Sequence, residues 1–158
     1  MRRKDREIIN RDDIIDIIKK CDVIRLAFNA EGAPYILPLN FGILCNQNDI
    51  VFYFHSANEG RKLDLMLKNP NVGFEADCSH KLITGKAACD YSMEYESIIG
   101  SGELLIIEDY DEKIMGLDLI MDKYSGKNGE KWSYNENMVK NVTIFKLIVS
   151  EITGKRHL

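Results

Sequence analysis

The chain reads as a mainly β domain with flanking helices, its antiparallel sheet closed into a barrel. Three observations predict this. Apolar runs rich in aromatic and β-branched residues recur at 22–29, 33–44, 50–55, 71–78, 95–107 and 141–152. Turn-like segments, rather than long crossover helices, separate the first three runs. Several of the runs are long and apolar, and a sheet of that kind buries its inner face most readily by closing on itself.

The elements follow in order. Ile14, Ile15, Ile17, Ile18 and Cys21 recur at the spacing of one helical face, which predicts a helix over 11–21 with Asn10 or Asp12 as its cap. Residues 22–29 form a short strand that ends in the turn Ala30-Glu31-Gly32. Residues 33–44 read as a second strand. Pro34 and Pro38 have no N–H for a ladder, so this strand has an edge or a bulge. After the turn 46–49, residues 50–55 form a third strand. Leu63, Met66 and Leu67 stripe a helix over 60–68, which Asn69-Pro70 stops.

Residues 71–78 alternate as a half-buried strand, with Val72, Phe74, Ala76 and Cys78 on one side. Residues 79–94 lack periodicity and read as a long loop, the kind that often carries function. Residues 95–107 make a long strand in which Gly100 and Gly102 allow a bend or a close backbone approach. Ile114, Leu117, Ile120, Met121 and Tyr124 space a helix over 109–124. A polar loop at 126–137 and a last strand at 141–152 complete six strands and three helices. No repeat or linker interrupts the 158 residues, so residues 1–158 form one domain, with 1–10 as an N-terminal basic arm.

Composition excludes several classes. Hydrophobic residues at 45% suffice for a core, and charged residues at 29% suit a soluble surface. A net charge of −4 argues against nucleic acid as the main partner. Arg2, Arg3, Lys4 and Arg6 are followed by Asp5, Glu7, Arg11, Asp12 and Asp13 rather than by an apolar run, so the arm reads as a solvated tail and not as a signal peptide. No window approaches the ~18 apolar residues of a membrane span. Cys21, Cys45, Cys78 and Cys89 form no CxxC pair and no zinc spacing. They read as reduced, mostly buried thiols, Cys89 as structural, and no metal is expected. These observations place the protein in the cytoplasm.

The chemistry concentrates in YFHSANEGRKLDLMLKNP, residues 53–70. A strand ends at His55, a polar loop follows, and Gly60, Arg61 and Lys62 open a helix. Helix starts carry unpaired N–H groups and partial positive charge, so they attract anions. Arg61 can clamp a phosphate bidentately, Lys62 adds a point charge, and Ser56 adds a hydroxyl. The alternative is an exposed, solvated helix start. There is no Gly-rich dinucleotide fingerprint, P-loop or nucleophile elbow, so a nicotinamide donor has no built-in site. By position alone His55 reads as structural. Asn40, in an apolar strand, reads either as a partner for a polar ligand edge or as a bulge cap beside Pro38. Trp132 covers a pocket or interface, or stands alone and partly exposed.

The chain resembles the pyridoxamine 5′-phosphate oxidase-like split-barrel family, and within it the nitroimidazole-resistance branch. The match runs in order through MRRKDREI (1–8), RLAFNAEGAPYILPLNFG (25–42), YFHSANEGRKLDLM (53–66), CDYSMEYESIIGSGE (89–103) and EITGK (151–155). The resemblance implies a six-stranded Greek-key split barrel and a homodimer with two FMN molecules at the subunit interface, FAD being possible in their place. It implies that Arg61 and Lys62 hold the flavin phosphate. Phe54, His55 and Ser56 would line the cofactor at the strand end. Pro38, Leu39, Asn40 and Phe41 would lie along the ring, partly through backbone groups. Ser97, Ile98, Ile99 and Gly100 would approach it from the partner chain. His55 is expected on the substrate side as the catalytic residue. The implied activity is reduction of a small nitroaromatic of 5-nitroimidazole type, or a related acceptor, with electrons from transiently docked NAD(P)H. The competing readings are a non-catalytic flavin module for sensing or storage, a haem or deazaflavin binder on the same barrel, and a structural dimer without ligand.

Overall fold

Asn10 opens the first helix as expected. Its Oδ1 accepts from the N–H groups of Asp12 and Asp13 at 2.9 and 3.2 Å, and α1 runs over Arg11–Lys20. The structure is a computed structural model that describes residues 3–126 and 132–157. Ile14, Ile17 and Ile18 of α1 are buried, which fits the predicted stripe. Lys123 closes the far end of α1 by donating to the carbonyls of Ile18 and Lys19 at 3.4 and 3.1 Å, while its ammonium sits 4.5 Å from the centre of the Phe41 ring.

Eight strands form one antiparallel sheet: β1 (Glu7–Ile8), β2 (Ile24–Phe28), β3 (Tyr35–Leu39), β4 (Gly42–Cys45), β5 (Ile50–Ala57), β6 (Asn71–Ile83), β7 (Ser92–Ile106) and β8 (Val142–His157). The order is β3-β2-β6-β7-β8-β5-β4, with β1 paired to the end of β8. The helices after α1 are α2 (Arg61–Lys68), α3 (Tyr110–Ser125) and α4 (Glu136–Lys140).

The topology explains the barrel. Strands β3 and β4 are the two outer edges of the path, yet only Asn40 and Phe41 separate them in the chain. Two residues cannot span a flat seven-strand sheet at about 4.8 Å per strand. The sheet therefore curls until its edges meet at this corner, which gives an open, split barrel. The predicted single strand at 33–44 is thus two strands on opposite edges. Pro38 falls on edge strand β3, where the missing N–H costs least.

Alternation along the strands fills the barrel. Phe28, Phe41, Phe52, Phe54, Phe74 and Phe145 point inward with Ile24, Leu26, Ile98, Leu104 and Leu147. Phe54 stacks on Phe145 at 5.1 Å between centroids, and Phe52 meets Phe41 and Phe74 edge-on at 5.3 and 5.6 Å. Each such ring contributes about 1.5–3 kcal/mol by its burial. On the outer side of β5 and β8, Tyr53, Ile107 and Ile144 form a smaller core under α3. The helix approaches closely there. A Cβ on Gly42 would meet the backbone of α3 at 2.7 Å, and one on Gly116 would meet the Tyr53 ring at 2.9 Å.

Besides the split strand at 33–44, the sequence expectations need four corrections. Residues 79–94 are half strand: β6 runs to Ile83 and β7 starts at Ser92, with a bulge between Cys78 and Lys81 and Ser79 at φ 59, so the loop shrinks to residues 84–91. The basic arm is not a free tail from Lys4 onward, because Lys4–Arg6 make a tight turn and Glu7–Ile8 pair with β8. Within the polar segment 126–137, residues 127–131 lie outside the described residues, and Asn135 caps the short helix α4. Of the four thiols only Cys21 is fully buried, and Cys89 is exposed.

Candidate functional site

The strand–loop–helix segment builds a cleft. Strand β5 turns Phe52, Phe54 and Ser56 inward and Tyr53 and His55 outward. Gly60, at φ 130, makes the turn into α2, a conformation that glycine adopts without strain. Leu63 and Met66 bury the inner stripe of α2, which leaves Arg61 and Lys68 on its outer side. No side chain caps the start of α2; the Leu63 and Asp64 N–H groups donate to the Gly60 carbonyl at 2.9 and 3.3 Å, which leaves those of Arg61 and Lys62 outside the helix ladder.

Arg61 is held in place. Its guanidinium carbon lies 4.7 Å from the centre of the Tyr35 ring on β3, a cation–π contact. It faces a cleft of about 630 Å³ between α2 and the β2–β3 turn, walled by Asn29 and Glu31 from the turn and by Asp64, Leu65 and Lys68 from the helix. Arg61 and Lys68 give the cleft two cationic donors suited to a phosphate, with Arg61 standing at the first position of the helix. Asp64 and Glu31 set the opposing charge at its rim. Lys62 is half-buried and does not line this cleft. The adjacent cations of the sequence thus diverge, and Lys68, about two helical turns along α2, takes the second place.

The structure disperses the remaining candidates. His55 is exposed, lies opposite Ile144 in the ladder, and has no hydrogen bond or ion pair with any described residue. Ser56 is buried and donates to the Ala57 carbonyl at 2.8 Å, so its hydroxyl is committed locally. Phe41 and Phe54 are core side chains, and only their backbone groups can face a ligand. Asn40 donates to the Asp22 carbonyl at 3.2 Å, which supports the bracing role for its amide. Tyr124 completes that brace: it donates to Asp22 O at 2.7 Å and accepts from the Phe41 N–H at 3.1 Å. Pro38 is exposed on the outer face, opposite Arg25, and Leu39 packs against the core. On β7, Ile98 is buried, while Ser97 and Ile99 face outward, Ile99 at 52% exposure. Gly100 has no room for a side chain, since a Cβ would meet the Glu151 carbonyl and the Phe74 ring. Trp132 is half-buried, and its Nε1 has no acceptor among the described residues.

Sequence reasoning missed Tyr35 and Asn29. Aromatic residues in strands are usually core, and nothing in the spacing marks Tyr35 as the platform for Arg61. It also missed the outer sheet face, where Ile36, Pro38, Ala27, Gly73, Ile99 and Ser101 lie without a covering helix among the described residues. Arg25 crosses this face to Glu75 and Asp77 at 3.0 and 2.6 Å, and His80 reaches Asp77 at 2.8 Å.

Comparison with known proteins bears on the family and the fold. The family model described as pyridoxamine 5′-phosphate oxidase matches residues 10–156. A search of the curated proteins finds no match. Among solved structures, a candidate 5-nitroimidazole antibiotic resistance protein from Bacteroides thetaiotaomicron is 35% identical, with a TM-score of 0.80 over 95% of this chain and 86% of that one. The flavocytochrome Anf3 from Azotobacter vinelandii shares the fold at 15% identity, with a TM-score of 0.81 over 100% of this chain and 72% of the other. An FAD- and haem-binding protein from Mycobacterium smegmatis does so at 17% identity, with a TM-score of 0.81 over 96% and 73%. The chain belongs to the pyridoxamine 5′-phosphate oxidase family.

Proposed function

We propose that this protein is an FMN-binding homodimeric oxidoreductase that passes electrons from NAD(P)H to small nitroaromatic or related acceptors. The observation that carries the reading is Arg61, held against Tyr35 at an uncapped helix start and facing a cleft of about 630 Å³. The guanidinium fork suits a terminal phosphate, with Lys68 further along the same helical wall of the cleft and Lys62 outside its lining. The 35% identity to the Bacteroides protein favours a nitroimidazole-type acceptor. A bound flavin supplies two-electron chemistry, and the protein supplies binding, orientation and electrostatics.

The uncovered outer face of β2, β3, β6 and β7 supports the dimer. Its exposed Ile36 heads a row of small residues through Ala27 and Gly73 to Ser101, and Ile99 ends the neighbouring row beside the paired Arg25 and Glu75, which makes a mixed face suited to a second copy and a planar ring. In that arrangement Ser97 and Ile99 approach the partner's flavin, and His55 lies free to meet an acceptor. No helix among the described residues is long and apolar enough to cross a membrane, and we assign the protein to the cytoplasm.

The test is direct. The purified full-length protein is denatured and the released chromophore identified by mass. FMN is the expected result, and the absence of any flavin refutes the reading. Bleaching by NAD(P)H followed by reoxidation with a 5-nitroimidazole supports turnover. A bound flavin inert to every donor reduces the protein to a storage or sensing module.

A further inference from the structure

We infer that His80, bound into the network of Arg25, Glu75 and Asp77 on the outer sheet face, makes the association of two copies of this chain proton-linked, with the dimer favoured when His80 carries charge. This inference rests on the proposed homodimer, because it names what regulates the face where the two copies meet.

The network is built by a break in β6. In an unbroken strand side chains alternate, so residues 77 and 80 would lie on opposite faces. The bulge between Cys78 and Lys81 interrupts that alternation, with Ser79 at φ 59, in the left-handed region that few side chains adopt. The Ser79 hydroxyl donates to the buried Glu96 carboxylate at 2.9 Å and so pins the bulge to the core. His80 is thereby returned to the side of Asp77, and its Nε2 lies 2.8 Å from Asp77 Oδ2. Asp77 Oδ1 accepts from Arg25 Nη1 at 2.6 Å, and the same nitrogen reaches Glu75 Oε2 at 3.0 Å. Glu75 stands opposite both Arg25 and the exposed Ile99, and Asp77 stands opposite Ser97, so the network lies within the uncovered face.

The network does not balance its own charge. With both carboxylates ionised and His80 neutral, two negative groups share one guanidinium. Burial opposes ionisation of Asp77, but the hydrogen bond from Arg25 outweighs it and holds this carboxyl below its ordinary value. Burial and the neighbouring Asp77 push Glu75 the other way. A proton on His80 supplies the missing positive charge. Water compensates the imbalance while the face is open. A second copy displaces that water, and burying an unbalanced charge opposes association. A two-fold arrangement would bury two such networks.

The charges around the network come in opposite pairs. Lys81 faces Glu94 at 3.5 Å across the hairpin. Glu96 points inward and is held by Lys20 at 2.7 Å and Arg156 at 2.6 Å. Lys155, opposite Ser97 on β8, faces Glu7 across its other ladder. Tyr95 shares the outer side of β7, with the Lys155 ammonium 5.2 Å from its ring centre. Strand β3 adds only Ile36 and Pro38 on this side. The chain has three histidines. His157 contacts the Met93 carbonyl at 2.8 Å, His55 lies on β5, and His80 alone pairs with a carboxylate among the described residues.

Linkage gives the direction. A histidine whose proton is held more tightly in the dimer favours association at low pH, and that advantage is lost as pH rises through the range where histidines discharge.

The test is analytical ultracentrifugation of the full-length protein between about pH 5.5 and 8.5 at constant ionic strength. The dimer dissociation constant should rise by about ten- to a hundredfold across that range, tenfold for each unit by which dimerisation raises a histidine. H80Q, neutral throughout, should show only the baseline that follows from titrating a chain of net charge −4. H80K, charged throughout, should stay tightly associated at the alkaline end. D77N, which removes the surplus carboxylate, should gain nothing on acidification beyond the H80Q baseline. H157Q should behave as wild type. A gain that persists in H80Q moves the proton to Glu75 or another group and overturns the assignment to His80. A wild-type dimer equally tight at both ends of the range overturns the linkage and leaves the dimer standing. A wild type that is monomeric at every pH refutes the dimer reading itself, and the linkage falls with it.

Discussion

The guanidinium of Arg61 rests over the ring of Tyr35, 4.7 Å from its centre, and so joins the start of α2 to edge strand β3. The contact fixes where the cation points. An arginine alone in solvent would sample many rotamers, and immobilising it on binding would cost about 0.5–1.5 kcal/mol. Stacked on Tyr35, it meets that cost before any ligand arrives.

The first prediction follows from this order. R61A should weaken FMN binding by about 1.5–3 kcal/mol, roughly ten- to a hundredfold, by removing a bidentate charge-assisted contact. Y35L should weaken it by about 0.5–1 kcal/mol, the scale of an exposed cation–π contact. K62A should cost less than R61A, because Lys62 does not line the cleft. Flavin fluorescence titration of the three variants ranks them, and K62A equal to or worse than R61A contradicts the placement.

The second prediction concerns pH. Glu96 is buried and receives Lys20 at 2.7 Å, Arg156 at 2.6 Å and Ser79 at 2.9 Å. Burial opposes its ionisation, but the three donors together outweigh it and hold the carboxyl below its ordinary value. A carboxyl lowered in the folded state contributes stability above its unfolded pKa, near about 4.3. That contribution fades as pH falls toward and through the lower folded value. E96Q should therefore unfold at lower denaturant concentration at neutral pH, by about 1–3 kcal/mol. The gap to wild type should narrow on acidification below the ordinary carboxylate range. A gap independent of pH would assign the effect to packing.

The fold was legible where burial is one-sided. Val72, Phe74 and Ala76 alternate because one face of β6 meets the core. Beyond the bulge at Cys78, residues 79–82 leave the core and are exposed, so the chain stays in a strand without any alternation to announce it. The corner at Asn40–Phe41 was hidden for the opposite reason. Apolar residues continue through it, since both edges face the same interior, and only the topology separates them. At the site, the helix start was readable from Gly60 and its charges. The divergence of Arg61 from Lys62, and the platform under Arg61, depend on β3 lying next to α2, which spacing in the chain does not encode.

The third prediction tests the corner itself. G42A places a Cβ 2.7 Å from the α3 backbone, and G116A places one 2.9 Å from the Tyr53 ring. Each should destabilise the protein by about 1–3 kcal/mol through overpacking. G73A should be far milder, since its nearest neighbour would lie at 3.8 Å. Denaturant midpoints of the three variants check the order.

The fourth prediction concerns association. Ile36 and Ile99 are 60% and 52% exposed on the uncovered face of the sheet. Exposed positions tolerate substitution within about 0.5 kcal/mol of folding stability. I36E combined with I99E should therefore leave the monomer folded while shifting light-scattering mass from dimer to monomer. Flavin should be lost with the dimer. A wild type that is already monomeric at micromolar concentration removes the shared site from the proposal.

The last prediction separates binding from turnover at His55. The side chain is exposed, opposite Ile144 and without a partner among the described residues. Nothing in the fold depends on its ring, so H55A should keep the thermal stability of wild type within about 0.5 kcal/mol. Nor does it line the cleft at Arg61, so flavin content should also persist. A residue that contributes to neither stability nor cofactor retention shows itself only in reaction with the acceptor. Reoxidation of the reduced protein by a 5-nitroimidazole should slow by about ten- to a thousandfold if His55 orients the acceptor or donates a proton, with reduction by NAD(P)H unaffected. H55Q, which keeps a donor but cannot carry charge, should recover part of the rate if orientation dominates and none if proton donation does. Unchanged reoxidation in both variants would return His55 to the surface as a solvated strand end and move the search for the proton to the other groups on the outer face.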